Sequence, residues 1–161
     1  MNTDDKLQEL VARFDVGMLI THDDSGMAAR PMSVAEHDEE SGELLFITSM
    51  ETGKVDEILA GADTAVVFQD SARYVSLSGE AVISNDRQKI EAVFQKGWEL
   101  WFPEGPGQED IRLIRFTPVI GEYWDMSGAR GARFIWQAGK ALISGESVEK
   151  QDRMQHAETT V

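Results

Sequence analysis

The 161-residue chain has no cysteine, three histidines, four prolines, and 15 Lys/Arg against 29 Asp/Glu. Each shortage excludes something. Without cysteine there are no disulfides, thiolate metal sites or cysteine nucleophiles. His22, His37 and His156 are scattered, with neither metal-ligand spacing nor a catalytic triad around them, so each is expected on the surface and no metal ion is expected. A net charge of −14 argues against nucleic acid, whose phosphates require clustered Lys/Arg. It argues equally against an anionic membrane surface. No apolar run approaches the ~20 residues of a membrane span. Met1–Lys6 is polar and acidic, unlike a secretory or transit signal, which makes the cytoplasm the expected location.

What is present is an ordinary globular composition. Hydrophobic residues make up 42%, with four Trp, two Tyr and seven Phe, enough for one domain with a proper core. The few bases are informative because of where they fall. Arg30 and Lys54 are the only Lys/Arg between Arg13 and Arg73, and residues 1–60 hold 4 Lys/Arg against 14 Asp/Glu. Isolated bases in an acidic stretch either pair with neighbouring carboxylates or hold an anion. A guanidinium fork, an ammonium, hydroxyls and a helix start converging on one spot would suit a phosphate.

Hydrophobic periodicity sets the organisation. Residues 3–13 read as a helix, with Leu7, Leu10, Val11 and Phe14 on one face and Asp4 and Asp5 at its start. Val16–Thr21 and Met27–Val34 read as a hairpin around the turn Asp23–Gly26. A polar loop at Glu36–Gly42 leads to the strand Glu43–Thr48. A short helix follows over Gly53–Ala60, with Thr52 as its candidate cap. Thr64–Gln69 and Arg73–Ser84 read as strands. Asn85 or Asp86 then caps a helix in which Ile90, Val93, Phe94, Gly97 and Trp101 recur, broken by Phe102-Pro-Glu-Gly-Pro-Gly107. Ile111–Phe116 and Val119–Met126 form a strand pair, or one strand bent at Pro118. Gly128–Gly131 reads as a turn before Phe134–Trp136. The expectation is one mostly antiparallel β domain over residues 1–143 with two or three helices. The polar residues 144–161 are expected to form a disordered tail.

Three local features carry chemistry. Pro31 between Arg30 and Met32 removes a ladder donor from its strand, which marks an edge or bulge where a ligand can approach. Thr48 and Ser49 end the apolar run Phe46-Ile-Thr-Ser49 just before Lys54. Trp98, Trp101 and Phe102 stand at a helix end, where they read as core or place Trp101 or Phe102 against a flat aromatic ligand. Glu36–Glu40 reads as a solvated acidic loop. Gly128–Arg133 lacks the spacing of a phosphate loop.

Taken together, Met18–Thr21, Ala29–Met32, Phe46–Ser49, Lys54, Tyr74–Gly79, Asp86-Arg87, Trp101–Gly105 and Glu122–Asp125 resemble the general stress protein 26 branch of the pyridoxamine 5′-phosphate oxidase-like flavoproteins. The resemblance spans roughly residues 5–126. It implies a split β-barrel of Greek-key type and a homodimer with FMN in a cleft at the subunit interface. It also implies that Arg30 and Lys54 bind the FMN phosphate with Ser49 beside them. Pro31, Met32, Phe46, Ile47 and Thr48 would lie along the isoalloxazine. Trp101, Phe102 and Gly105 would come from the partner chain. The chain departs from the family at Gln108-Glu-Asp110, where an Asp-Pro step is usual, and has no counterpart of the oxidase's Arg/His substrate-binding segment. The function implied is a flavin-dependent oxidoreductase of unknown substrate, with no catalytic side chain identified. A non-catalytic protein that stores, senses or buffers flavin is the alternative. A split barrel holding deazaflavin or haem is a third, with haem disfavoured by the placement of the histidines and the lack of cysteine.

Overall fold

The computed structural model describes residues 3–24, 26–127 and 155–160. In chain order these form α1 (Thr3–Val11), β1 (Val16–Asp23), β2 (Gly26–His37), β3 (Leu44–Ser49), α2 (Gly53–Leu59), β4 (Asp63–Gln69), β5 (Arg73–Ser84), α3 (Arg87–Val93), β6 (Ile111–Asp125) and β7 (Gln155–Thr160). The strands are ordered β3-β2-β1-β4-β5-β6-β7, all antiparallel, and β3 also pairs with β6, so six strands close into a ring. β1 to β3 are joined as successive hairpins, and β4 returns to lie beside β1. That is the Greek-key order, with α2 carried on the crossing connection.

Alternation along each strand separates the inside of the ring from the outside. Leu19, Leu44, Phe46, Val66, Phe68, Val75, Leu77, Ile114 and Phe116 fill the interior, plugged by Leu7, Leu10 and Val11 of α1 and by Ile58 of α2. β3 is buried on both faces, which is why it reads as an unbroken apolar run. Leu45 and Ile47 face outward and form a second cluster with Ile90, Val93, Trp98, Ile111 and Leu113.

Of the two readings open at Pro118, a strand pair or one bent strand, the single strand forms. β6 is continuous, and the bend is a register shift in which Ser78 faces Ile120 while Gly79 faces Pro118. Two expectations need correction. The helix expected from Asp86 to Trp101 stops at Val93: Phe94 turns to extended backbone (ψ 128°), and a 3₁₀ turn spans Lys96–Leu100. Asp86 does cap α3, accepting from the Lys89 amide at 3.0 Å. Within the expected tail, Gln155–Thr160 pair with Asp125–Ile120 of β6, along the edge that β3 leaves beyond Phe116. A short polar segment has found a ready-made sheet edge, which composition cannot reveal. Gly128–Arg133, Phe134–Trp136 and residues 144–154 lie outside the described residues. Among the described residues no helix is long and apolar enough to cross a membrane.

Candidate functional site

A cavity of about 600 Å³ opens on the outer face of the β1–β2 hairpin, where the end of β3 meets the 3₁₀ turn. Four groups of residues build it. Pro31 and Ser33 alternate on one face of β2, and Val16 sits opposite Ser33 across the hairpin. Met32, buried in the sheet, also reaches the cavity. Ile47, Thr48 and Ser49 come from the end of β3, and Thr52 and Lys54 from the start of α2. Trp98, Trp101 and Phe102 form the far wall. On a 3₁₀ turn, residues three apart eclipse one another, which stacks the positions of Trp98 and Trp101. Trp98 is anchored edge-on against Phe94, with ring centroids 5.9 Å apart, and Phe94 in turn meets Phe102 at 6.4 Å. Trp101 is 66% exposed.

The aromatic wall is held in place from behind by Arg87. Its guanidinium donates to the carbonyls of Pro106 and Gln108, each at 2.9 Å, and of Ile111 at 3.2 Å. Gly105, buried and at φ +71°, makes the turn that a side chain would strain. Ser49 Oγ donates to Asp110 Oδ2 at 2.5 Å and accepts from the Glu51 amide at 3.1 Å. Its single proton is therefore committed, and Asp110 is held below the usual aspartate pKa, first by this bond. The Thr52 hydroxyl donates to the Ser49 carbonyl at 2.9 Å and meets Thr48 Oγ1 at 3.2 Å. Thr52 occupies the cap position of α2, but its side chain does not cap.

Among the described residues that line the cavity, Lys54 is the one cation. It is half-buried, and burial, with the Arg30 charge nearby, lowers its pKa below the ordinary lysine value, while Glu57 pulls the other way. Arg30 sits opposite Leu19 on the inward side of β2, the side opposite Pro31 and Ser33. There its Nη2 donates to both oxygens of Glu57, at 2.8 and 3.0 Å, and its Nη1 donates to Thr21 Oγ1 at 2.6 Å. The Thr21 hydroxyl in turn donates to Glu57 Oε2.

The cavity thus brings together Pro31, Met32, Ile47, Thr48, Ser49, Lys54, Trp101 and Phe102 of the expected residues, with Trp101 and Phe102, expected from a partner chain, lining the cavity of their own chain. Arg30, Phe46 and Gly105 do not line it. Arg30 is engaged by Glu57, and Phe46 is fully buried in the barrel core. Sequence reasoning missed Val16, Ser33, Thr52 and Trp98 as lining residues. The two-residue alternation from Pro31 would have found Ser33, and the three-residue step from Trp101 would have found Trp98. His37, expected on the surface, is half-buried, and its Nε2 donates to Gln8 Oε1 at 2.8 Å. Among the described residues no three His, Asp or Glu side chains are grouped to hold a metal ion.

Chemically, the cavity has a broad apolar and aromatic body with hydroxyls and one ammonium at one end. That composition and volume suit a flat, largely apolar ligand carrying an anionic tail.

Several solved structures share this architecture. A candidate general stress protein 26 from Jannaschia sp. CCS1 is 26% identical, with a TM-score of 0.72 over 97% of this chain and 96% of that one. The general stress protein 26 of Bacillus anthracis str. Sterne is 18% identical (TM-score 0.68; 76% of this chain, 94% of that one). The general stress FMN/FAD binding protein of Xanthomonas citri is also 18% identical (TM-score 0.66; 78% and 90%). At 18% identity the last two establish the fold alone. No curated protein matches the chain. The family model described as "Pyridoxamine 5'-phosphate oxidase like" matches residues 2–149. With that match over most of its length and a split barrel of the same kind, the chain belongs to the pyridoxamine 5′-phosphate oxidase-like family, in its general stress protein 26 branch.

Proposed function

We propose that the cavity binds FMN and that the protein is a flavin-dependent oxidoreductase working as a homodimer. The observation that carries this reading is the cavity itself, an aromatic and apolar slot of about 600 Å³ with Lys54 half-buried at its polar end. The flavin ring would lie between Pro31, Met32 and Ile47 on one side and Trp101 and Phe102 on the other, close to the backbone of Phe46 and Thr48 and to the turn at Gly105. Its phosphate would take Lys54, with Arg30 and Ser49 nearby. Because the Ser49 proton is held by Asp110, Lys54 carries the larger share of phosphate binding. The Xanthomonas relative, described as binding FMN or FAD, supports a flavin over other flat anions.

Bound FMN would supply the hydride or electron chemistry. The described side chains that line the cavity are apolar, aromatic or hydroxyl-bearing apart from Lys54, and their task is to hold and orient the ring and to exclude water from it. The same lining would serve a non-catalytic flavin-binding protein equally well, and turnover with NADH or NADPH and an electron acceptor separates the two. A second copy of the chain is the proposed cover for the exposed aromatic wall. Trp101 is 66%, Leu100 78% and Val16 51% exposed, and such side chains grouped at a cavity mouth mark an interaction surface.

The test is the visible absorption spectrum of the purified protein, before and after adding FMN. A flavin spectrum that remains with the protein through gel filtration supports the reading. A haem or deazaflavin spectrum, or FMN that elutes free, overturns it.

A further inference from the structure

The flavin reading gives Lys54 a task but leaves Glu57 unexplained. Glu57 follows Lys54 by one turn of α2, and it places a carboxylate beside Arg30 and close enough to Lys54 for the charges to be felt. Among the described residues Lys54 forms no ion pair, whereas Arg30 is paired with Glu57. The Arg30–Glu57 pair is closed into a ring by Thr21, 1% exposed, which accepts from Arg30 and donates to Glu57. The two charged side chains themselves are 23% and 25% exposed. The pair is thus well formed yet still partly open to solvent.

We propose that Glu57 is the internal counter-anion of the phosphate subsite: it holds the Arg30 guanidinium until a phosphate monoester arrives and competes with that phosphate for it. The inference rests on the flavin reading above. A phosphate monoester carries about −1.5 to −2 charges at pH 7. Among the described residues it meets two cations there, Lys54 and Arg30, and the one carboxylate that already holds Arg30. Affinity for the phosphorylated ligand is therefore held down by the carboxylate, and the flavin stays exchangeable. A ligand without phosphate is indifferent to Glu57.

The test compares Glu57→Gln with the unaltered chain in fluorescence titrations of FMN and riboflavin. The amide oxygen can still accept from Arg30, so shape is kept while the charge is removed. FMN should bind about tenfold more tightly, with riboflavin changed less than about twofold. Glu57→Asp, which keeps the charge, should give no comparable gain. As a readout independent of flavin, inorganic phosphate should raise the melting temperature of Glu57→Gln more than that of the unaltered chain. Unchanged or weaker FMN binding by Glu57→Gln overturns the inference and leaves the flavin reading standing. So does an equal gain for riboflavin, or an equal gain in Glu57→Asp. Failure of the unaltered chain to bind any flavin overturns both.

Discussion

Lys54 and Arg30 bring like charges into one corner of the barrel and meet opposite fates. The sequence makes both look like anion ligands because each is isolated among acids. Only the structure separates them, since Glu57 lies 27 residues from Arg30 and the pairing depends on how α2 closes the barrel end. Lys54→Met should weaken FMN binding about tenfold to a hundredfold, as expected for loss of a charge-assisted contact worth roughly 1.5–3 kcal/mol. It should leave riboflavin binding nearly unchanged in the same titration. The pH dependence follows from the lowered pKa of Lys54. Without ligand, charged Lys54 costs stability at neutral pH, and that cost is relieved as pH rises through its lowered pKa. With FMN the sign reverses, because the phosphate requires the charged form. FMN affinity should fall with rising pH earlier than an ordinary lysine would allow, and a pH series of dissociation constants should show this slope vanish in Lys54→Met. His37 provides an independent check. Burial lowers its pKa, and its buried Nδ1 has no hydrogen-bond partner. The fold therefore accepts the neutral ring, and stability should decline as pH falls below the ordinary histidine value of 6.5. Urea denaturation at pH 7 and pH 5 should show a smaller decline for His37→Gln.

Among the elements, the ones legible in the sequence are those whose signal is local. β1 and β2 were marked by alternation on either side of a turn, β3 by an apolar run, and α3 by its Asp86 cap. The helix beyond Val93 was misread because Ile90, Val93, Phe94, Gly97 and Trp101 keep a spacing that a broken helix followed by a 3₁₀ turn satisfies equally well. No local pattern reveals the cavity, because it needs β2, β3 and the aromatic turn to meet, and only the family resemblance pointed to it. β7 was missed for the same reason: its partner is thirty to forty residues away and its own composition is polar. Shortening the chain to end at residue 154 should leave the β6 edge at Ile120–Asp125 unpaired. Loss of its backbone hydrogen bonds should lower stability by about 1–3 kcal/mol, measured by chemical denaturation. Gly79 is the sharper test of the β5–β6 shift. A Cβ there would lie 2.1 Å from the Thr117 carbonyl oxygen and 2.8 Å from Pro118 Cα. Both are backbone atoms in a paired strand and cannot give way without moving β6. Gly79→Ala should cost about 3 kcal/mol and lower the melting temperature by roughly 10 °C.

At the scale of the whole molecule, a closed ring of strands buries its own core, while the cavity lies outside that ring against the start of α2 and the aromatic turn. The barrel can therefore tolerate changes at the cavity, and loss of ligand binding need not mean loss of fold. The same placement leaves Trp101 and Leu100 exposed beside the ligand slot, which is the physical reason to expect a second copy. Light scattering at micromolar concentration should give about twice the 17.9 kDa chain mass, and Trp101→Asp should shift it toward the single-chain value. The dimer and the substrate both depend on one prior claim, that the cavity takes a flavin with its phosphate on Lys54. The most direct measurement is a pair of fluorescence titrations of the unaltered protein, one with FMN and one with riboflavin. The account predicts that FMN binds at least tenfold more tightly, a difference of about 1.4 kcal/mol. Equal affinity for the two flavins would contradict it.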